Sequence, residues 1–192
     1  MAKRGNAYDL PEGIPPPADD GAADHLPAIG LPSVPLNATS GGTVDLSVLS
    51  GETVVYCYPM TGTPDRDPPQ GWDEIPGARG CTPQSCSFRD YHAELEELGA
   101  RVFGLSTQST GYQREAVEQL QLPFDLLSDE DLSFAEALSL PTFEAGGMIL
   151  LKRLTLVIED GRIEKVFYPV FPPGKNAEEV LAWLRHQRAS SP

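Results

Sequence analysis

The chain is expected to fold as a single α/β domain, with a mixed central sheet flanked by helices on both faces. Three observations lead there. The chain has 192 residues, enough for one sizeable core plus an extension. The β-branched and aromatic runs Thr53–Tyr58 and Arg101–Ser106 are each followed by a helical pattern. A hairpin signal and an amphipathic helix close the chain, so parallel and antiparallel strands share one sheet.

Residues 1–26 are rich in Pro, Gly, Asp and Ala, including Pro15-Pro16-Pro17 and Ala18-Asp19-Asp20-Gly21. That composition predicts an extended, partly disordered lead-in. From Pro27 to Leu49, short apolar stretches flank Asn37-Ala38-Thr39-Ser40-Gly41-Gly42, which predicts an N-terminal hairpin extension. Thr53–Tyr58 reads as a buried central strand ended by Pro59. Met60 to Gly80 is irregular, and loops of that length in a compact domain are functional or disordered. Beyond Cys81 the pattern turns helical: Phe88, Tyr91, Leu95 and Leu98 recur every three or four residues until Gly99.

Arg101–Ser106 is a second strand, Tyr112–Leu120 a helix, Asp125–Ser128 a short strand or turn, and Leu132–Leu138 a short helix. Leu154–Ile158 and Ile163–Val170 flank Asp160-Gly161, a pair that two-residue hairpin turns prefer. Asn176 reads as the cap of a last helix, with Glu179 three residues on and Val180, Trp183 and Leu184 as its apolar stripe. The domain is expected over 27–188, with 189–192 as a tail. This order fits a thioredoxin-like sandwich.

The net charge of -14 argues against a nucleic-acid surface, whose affinity rests on Lys and Arg. No apolar run approaches the length of a membrane span. The N-terminus leads into Pro, Glu and Gly rather than an apolar h-region, so the expected compartment is the cytoplasm. There a permanent structural disulfide is disfavoured, and closely spaced cysteines are catalytic, redox-sensing or metal-binding.

Cys81 and Cys86 stand five residues apart where the Gly- and Pro-rich loop meets the helix start. The thiolate is the reactive form of cysteine, and exposed N–H groups at a helix N-terminus favour it, as does a nearby guanidinium. Such a thiolate attacks a peroxide O–O bond to give a sulfenic acid, which condenses with a second thiol. Against this stands the plain reading of two small core residues. Zinc through Cys81, Cys86 and His92 has the ligand types but not the usual spacing. On an intact helix, five residues separate Cα atoms by roughly 8–9 Å on different faces, whereas a disulfide needs less than about 7 Å. Joining Cys81 to Cys86 therefore requires the first turns to unwind. Cys57 reads as an inert core residue, with a resolving thiol as the alternative, and Arg89 as an orienting or ion-paired residue.

The chain resembles a peroxiredoxin. The resemblance lies in Tyr58-Pro59, Gly80-Cys81-Thr82 with Cys86-Ser87-Phe88-Arg89-Asp90, Phe103-Gly104-Leu105-Ser106, Leu127-Ser128-Asp129 and Arg153-Leu154-Thr155. The cysteine spacing is similar to the Q-type (bacterioferritin comigratory protein-like) subfamily, and the likeness runs from about residue 27 to 188. It implies a thioredoxin fold and thiol-dependent reduction of hydrogen peroxide or organic hydroperoxides. Cys81 would be the peroxidatic and Cys86 the resolving cysteine, joined as an intramolecular disulfide. Arg153 would hold the thiolate and the peroxide oxygens. An external dithiol, thioredoxin or glutaredoxin, would reduce the bond in a monomer or dimer. No metal, haem or flavin cofactor is implied.

One departure stands out. The family pattern places Pro seven and Thr or Ser three residues before the peroxidatic cysteine, but Glu74 and Ala78 occupy those positions. A gapped register uses Pro59 and Thr63 instead, followed by an insertion over Asp65–Arg79. Pro59 would then shield the site and Thr63 would hydrogen-bond the peroxide, with Thr82 or Arg79 as substitutes. On its own, Thr63 reads as a turn residue. Trp72 and Ile75 are apolar enough to pack the insertion down. The rival functions are a general thiol–disulfide oxidoreductase, for which a C-x-x-C spacing is missing, and a non-catalytic thioredoxin-fold binding module.

Overall fold

A computed structural model describes residues 10–63 and 65–191; the lead-in residues 1–9, Pro64 of the gapped register and Pro192 of the tail lie outside the described residues. The hairpin β1 (Pro35–Ala38) and β2 (Thr43–Asp45) comes first, then β3 (Glu52–Cys57). Helices α1 (Cys81–Asp90) and α2 (His92–Glu97), strand β4 (Arg101–Ser106), helix α3 (Thr110–Leu120), strand β5 (Leu126–Ser128) and helix α4 (Ser133–Leu138) follow. The chain ends with β6 (Thr142–Ala145), β7 (Met148–Leu151), β8 (Leu154–Glu159), β9 (Arg162–Phe167) and α5 (Asn176–Ser190).

The main sheet has seven strands in the order β2-β1-β5-β4-β3-β8-β9. β3, β4 and β5 are mutually parallel, and the other pairings are antiparallel. Alternation along β3 divides the core. Val54, Tyr56 and Tyr58 face the layer that holds Cys81, Phe88, Leu95, Ala116, Val180 and Leu184 from the helices. Val55 and Cys57 face the opposite layer, with Phe134 and Leu138 of α4. Helices thus cover both faces, as the pattern predicts. The N-terminal hairpin is no appendage: β1 pairs with β5 and completes the sheet.

The sequence and the structure differ in several places. The helical run after Cys81 bends at Tyr91 (φ -99°, ψ 9°) into α1 and α2, although Tyr91 N still donates to Ser87 O and Leu95 N to Tyr91 O. The β6–β7 hairpin, turning at Gly146-Gly147, escapes the periodicity because its four-residue strands are half exposed. Asn176 does not cap α5 with its side chain; it is fully buried, and its carbonyl accepts hydrogen bonds from other elements. α5 continues through Ser190, into the expected tail.

The lead-in, from Leu10 on, is held against the domain rather than loose. Ala23 and Leu26 enter the core, and Ile163 N donates to Ile29 O while Leu31 N donates to Gly161 O along the β9 edge. A Pro- and Gly-rich stretch builds no core of its own, but here it covers an open strand edge. At the β8–β9 turn, Asp160 and Gly161 adopt φ 47° and 75°, the left-handed pair that such a turn requires.

Gly104 in β4 shows how tightly the helical layer sits. A Cβ there would come within 2.8 Å of Tyr56 Oη and against the Leu126 side chain. The Tyr56 ring is stacked on Phe88 at 4.6 Å and cannot retreat. Gly104→Ala is expected to cost about 1–3 kcal/mol, the usual penalty of overpacking. It should lower the urea midpoint without changing the slope.

Candidate active site

α1 starts at a glycine that only glycine fits. Gly80 has φ 120°, and a Cβ there would lie 2.5 Å from Pro173 Cγ and 3.2 Å from Leu10 Cδ2. Having no side chain, Gly80 caps none of the free N–H groups of the first turn, which face outward from the Cys81 end. The helix is anchored to the sheet by the Tyr56–Phe88 stack and by Tyr56 Oη donating to Ser85 Oγ at 3.1 Å.

Cys81 is the first residue of α1 and is buried, only 4% exposed. Arg153, in the link from β7 to β8, is 3% exposed and donates from Nη2 to Cys81 Sγ at 3.2 Å. The same nitrogen donates to Ala78 O at 3.1 Å, and Nη1 donates to Gln84 Oε1 at 2.5 Å. Gln84 Nε2 in turn donates to Asn176 Oδ1 at 2.9 Å, which also accepts from Thr155 Oγ1 at 2.7 Å. Gln84, Thr155 and Asn176 are all fully buried, so the guanidinium is held in one orientation by a polar network joining α1, β8 and α5. Among the described residues no carboxylate pairs with Arg153. A buried cation without a counter-ion is costly, and among its hydrogen-bond partners is the Cys81 sulfur.

Cys86 lies further along the same helix and is also buried and unpaired. Burial pushes its thiol up from the ordinary value, the Arg89 charge opposes that, and Asp90 adds to it. Cys57 faces the other side of the sheet from Cys81, and burial with the nearby Asp129 charge holds its thiol well above the ordinary range. It is a core residue with no path to Cys81.

Pro59 is buried two residues beyond the end of β3. Thr63 forms an isolated bridge with Arg66, and among the described residues it makes no hydrogen bond to Cys81 or Arg153. The structure thus leaves it outside the thiol cluster, because the insertion closes on itself before returning to Gly80. What reaches the site at the expected hydroxyl position is the Ala78 backbone. Its carbonyl lies 3.9 Å from Cys81 Sγ, as acceptor, and accepts from Arg153. Arg79 pairs instead with Asp73 at 2.9 Å. Arg89 binds Asp90 and donates to Leu120 O, an orienting role. His92 rests beside Glu96 and the Phe124 ring.

The insertion packs down as expected. Trp72 meets Phe143 at 6.1 Å between ring centroids, and Trp72, Ala78, Ala145 and Leu150 form a small core with Ile75 and Met60. That core presents the Ala78 carbonyl to Arg153. Gln84, Thr155 and Asn176 escape sequence reading. Only Gln84 carried a signal, lying three residues after Cys81 on the same helical face.

Residues 22–181 match the Redoxin family. Peroxiredoxin Bcp of Escherichia coli (strain K12) is 32% identical over 169 residues, covering 85% of this chain and 95% of that protein. The chain is a peroxiredoxin of the Q type. Peroxiredoxins are thiol-dependent peroxidases, and the thiol–guanidinium pair of this peroxiredoxin suits that chemistry. The chloroplastic Peroxiredoxin Q of Gentiana triflora is 30% identical over 182 residues, with 91% of this chain and 76% of that protein covered. The chain spans 65% of the length of the Populus jackii protein of the same name. Among solved structures, Peroxidoxin BcpB from Mycobacterium tuberculosis superposes with a TM-score of 0.69 at 27% identity, covering 84% of this chain and 98% of that one. Among the described residues no helix is long and apolar enough to cross a membrane.

Proposed function

We propose that Cys81 is the peroxidatic cysteine of this peroxidase and Cys86 its resolving partner. The observation that carries this is the Arg153 Nη2 donor 3.2 Å from Cys81 Sγ at the first residue of α1. The Cys81 thiolate attacks one oxygen of hydrogen peroxide or an organic hydroperoxide. The S–O bond forms as the O–O bond breaks, and the departing oxygen leaves with a proton as water or alcohol. Arg153 is placed to stabilise charge on both sulfur and oxygen. In this reading Pro59 shields the thiol, while Thr63 keeps its turn role and its peroxide-binding duty passes to Arg153 and the first-turn N–H groups.

Cys86 then attacks the Cys81 sulfenic sulfur, forming the S–S bond and releasing water. Both cysteines lie in one continuous helix, so α1 opens first. Opening also frees Cys86 from the burial that pushes its thiol up from the ordinary value. The exposed disulfide is reduced by a dithiol such as thioredoxin or glutaredoxin, acting in the cytoplasm, where unpaired thiols persist.

One equivalent of hydrogen peroxide, followed by alkylation and peptide mass spectrometry, tests the assignment. The expected product is a Cys81–Cys86 disulfide with Cys57 alkylated. In Cys86→Ser, Cys81 should be trapped quantitatively by dimedone as the sulfenic acid, and converted to the sulfinic form by excess peroxide. Alkylated, unoxidised Cys81 in either protein would overturn the reading.

A further inference from the structure

A cavity of about 310 Å³ lies beside Arg153. Pro17 and Ala18 of the N-terminal segment, Ile75 of the insertion, Phe143, Pro169 and Arg153 itself line it. The walls are mainly apolar, while Arg153, almost wholly buried, has its Nε without a hydrogen-bond partner. The cavity is roughly ten water volumes, at about 30 Å³ each, far more than hydrogen peroxide requires. It falls at the lower end of the range for small-ligand pockets.

The N-terminal wall is fastened in place. Asp20 Oδ2 accepts from Lys152 Nζ at 2.7 Å and Oδ1 accepts from Tyr168 Oη at 2.7 Å. These bonds join the segment to the residue next to Arg153 and to the end of β9. A Cβ on Gly77 would lie 3.3 Å from Pro17 Cβ, so the segment sits directly on the loop whose carbonyls accept from Arg153 Nη2. Pro17, Ala18 and Asp20 all precede residue 22, where the family match begins. This wall is therefore a feature of the chain's own N-terminal segment rather than of the matched domain.

We infer that this cavity is a subsite for the organic group of an aryl or branched alkyl hydroperoxide, with the segment latched by Asp20 as its specificity-determining wall. The inference rests on the peroxidatic reading of Cys81. One residue serves both places: Arg153 Nη2 donates to the sulfur, and Arg153 also lines the cavity. A hydroperoxide whose oxygens meet Arg153 beside Cys81 has an apolar space next to it for the group it carries. Hydrogen peroxide has no such group and gains nothing from the wall.

The test compares kcat/KM for cumene hydroperoxide and hydrogen peroxide in the full chain, in Ala18→Phe and in Asp20→Ala. Calorimetric titration of each reduced protein with the product alcohol, 2-phenyl-2-propanol, supplies a readout independent of turnover. Ala18→Phe fills the cavity, and Asp20→Ala removes the two hydrogen bonds that fasten its wall. The ratio of cumene to hydrogen peroxide efficiency is expected to fall roughly tenfold or more in both variants, in line with the discrimination an apolar pocket gives. Saturable alcohol binding should be present in the starting protein and lost in both variants. An unchanged ratio and unchanged alcohol binding in the two variants would overturn the inference. Turnover of both peroxides without alcohol binding would sink the subsite alone. Failure to turn over either peroxide would instead remove the peroxidatic reading on which it rests.

Discussion

Cys81→Ser is expected to lose the fast reaction with hydrogen peroxide, by more than about a thousandfold, because a serine hydroxyl stays protonated where a thiolate attacks. Stopped-flow fluorescence of the reduced protein reads this directly. Trp72 packs on Phe143 and joins Ala78, the residue whose carbonyl faces Cys81, so oxidation at the sulfur changes its surroundings. Cys57→Ala is the matched control, since Cys57 lies on the other face of the sheet and should keep the fast phase. In Cys86→Ser the first phase should persist while the second, which reports opening of α1 and disulfide formation, vanishes. A reduced protein that reacts no faster than a free thiol would dismiss the peroxidase reading and favour the oxidoreductase or binding-module alternatives.

Arg153→Met carries the second large effect. The guanidinium is the cation seen at the sulfur, and removing a preorganised donor from a buried site typically costs about 100- to 1000-fold. Met keeps the length and apolar packing of the side chain but offers nothing to Cys81, Ala78 O or Gln84 Oε1. Arg153→Lys should recover only part of the loss. One ammonium cannot reproduce a planar fork in which Nη1 holds Gln84 while Nη2 holds the thiol and the Ala78 carbonyl. The rate constant should be followed across pH. If raising the pH restores Arg153→Met to the starting rate, the arginine acts only by favouring ionisation. A deficit that persists above the thiol's titration identifies stabilisation of the transition state, which is the expected result. A loss of less than fivefold throughout would remove Arg153 from the site.

Much of the fold was legible because its signals are local. The alternation Val54, Tyr56, Tyr58 against Val55, Cys57 divides the two core layers, and a period of two is visible in any six residues. Asp160-Gly161 set its hairpin by backbone preference alone. The β6–β7 hairpin was missed because short, half-exposed strands carry little pattern. Asn176 reads as a cap in the sequence because capping and burial use the same amide; only the arrival of Gln84 and Thr155 decides between them.

The site was legible in part. Cys81 and Cys86 stood out from their spacing at a helix start, and Arg153 from the family resemblance rather than from its surroundings. Thr63 was carried over by aligning a motif across an insertion. Such an alignment presumes where the insertion re-enters the domain, and in the folded chain the Ala78 backbone meets Arg153 instead.

By itself, then, the sequence determined the order of the main-sheet strands and, but for the break at Tyr91, of their helices, and the placement of a thiol at the start of α1 with a second five residues along the same helix. Each depends on residues a few positions apart. The tertiary structure decided which groups surround the sulfur. Arg153 is 72 residues from Cys81, Asn176 is 92 from Gln84, and Asp20 is 132 from Lys152. Contacts over such separations are made by sheet register and layer packing, which no local pattern records. They also turned a proline-rich lead-in into a wall of the cavity that Arg153 lines.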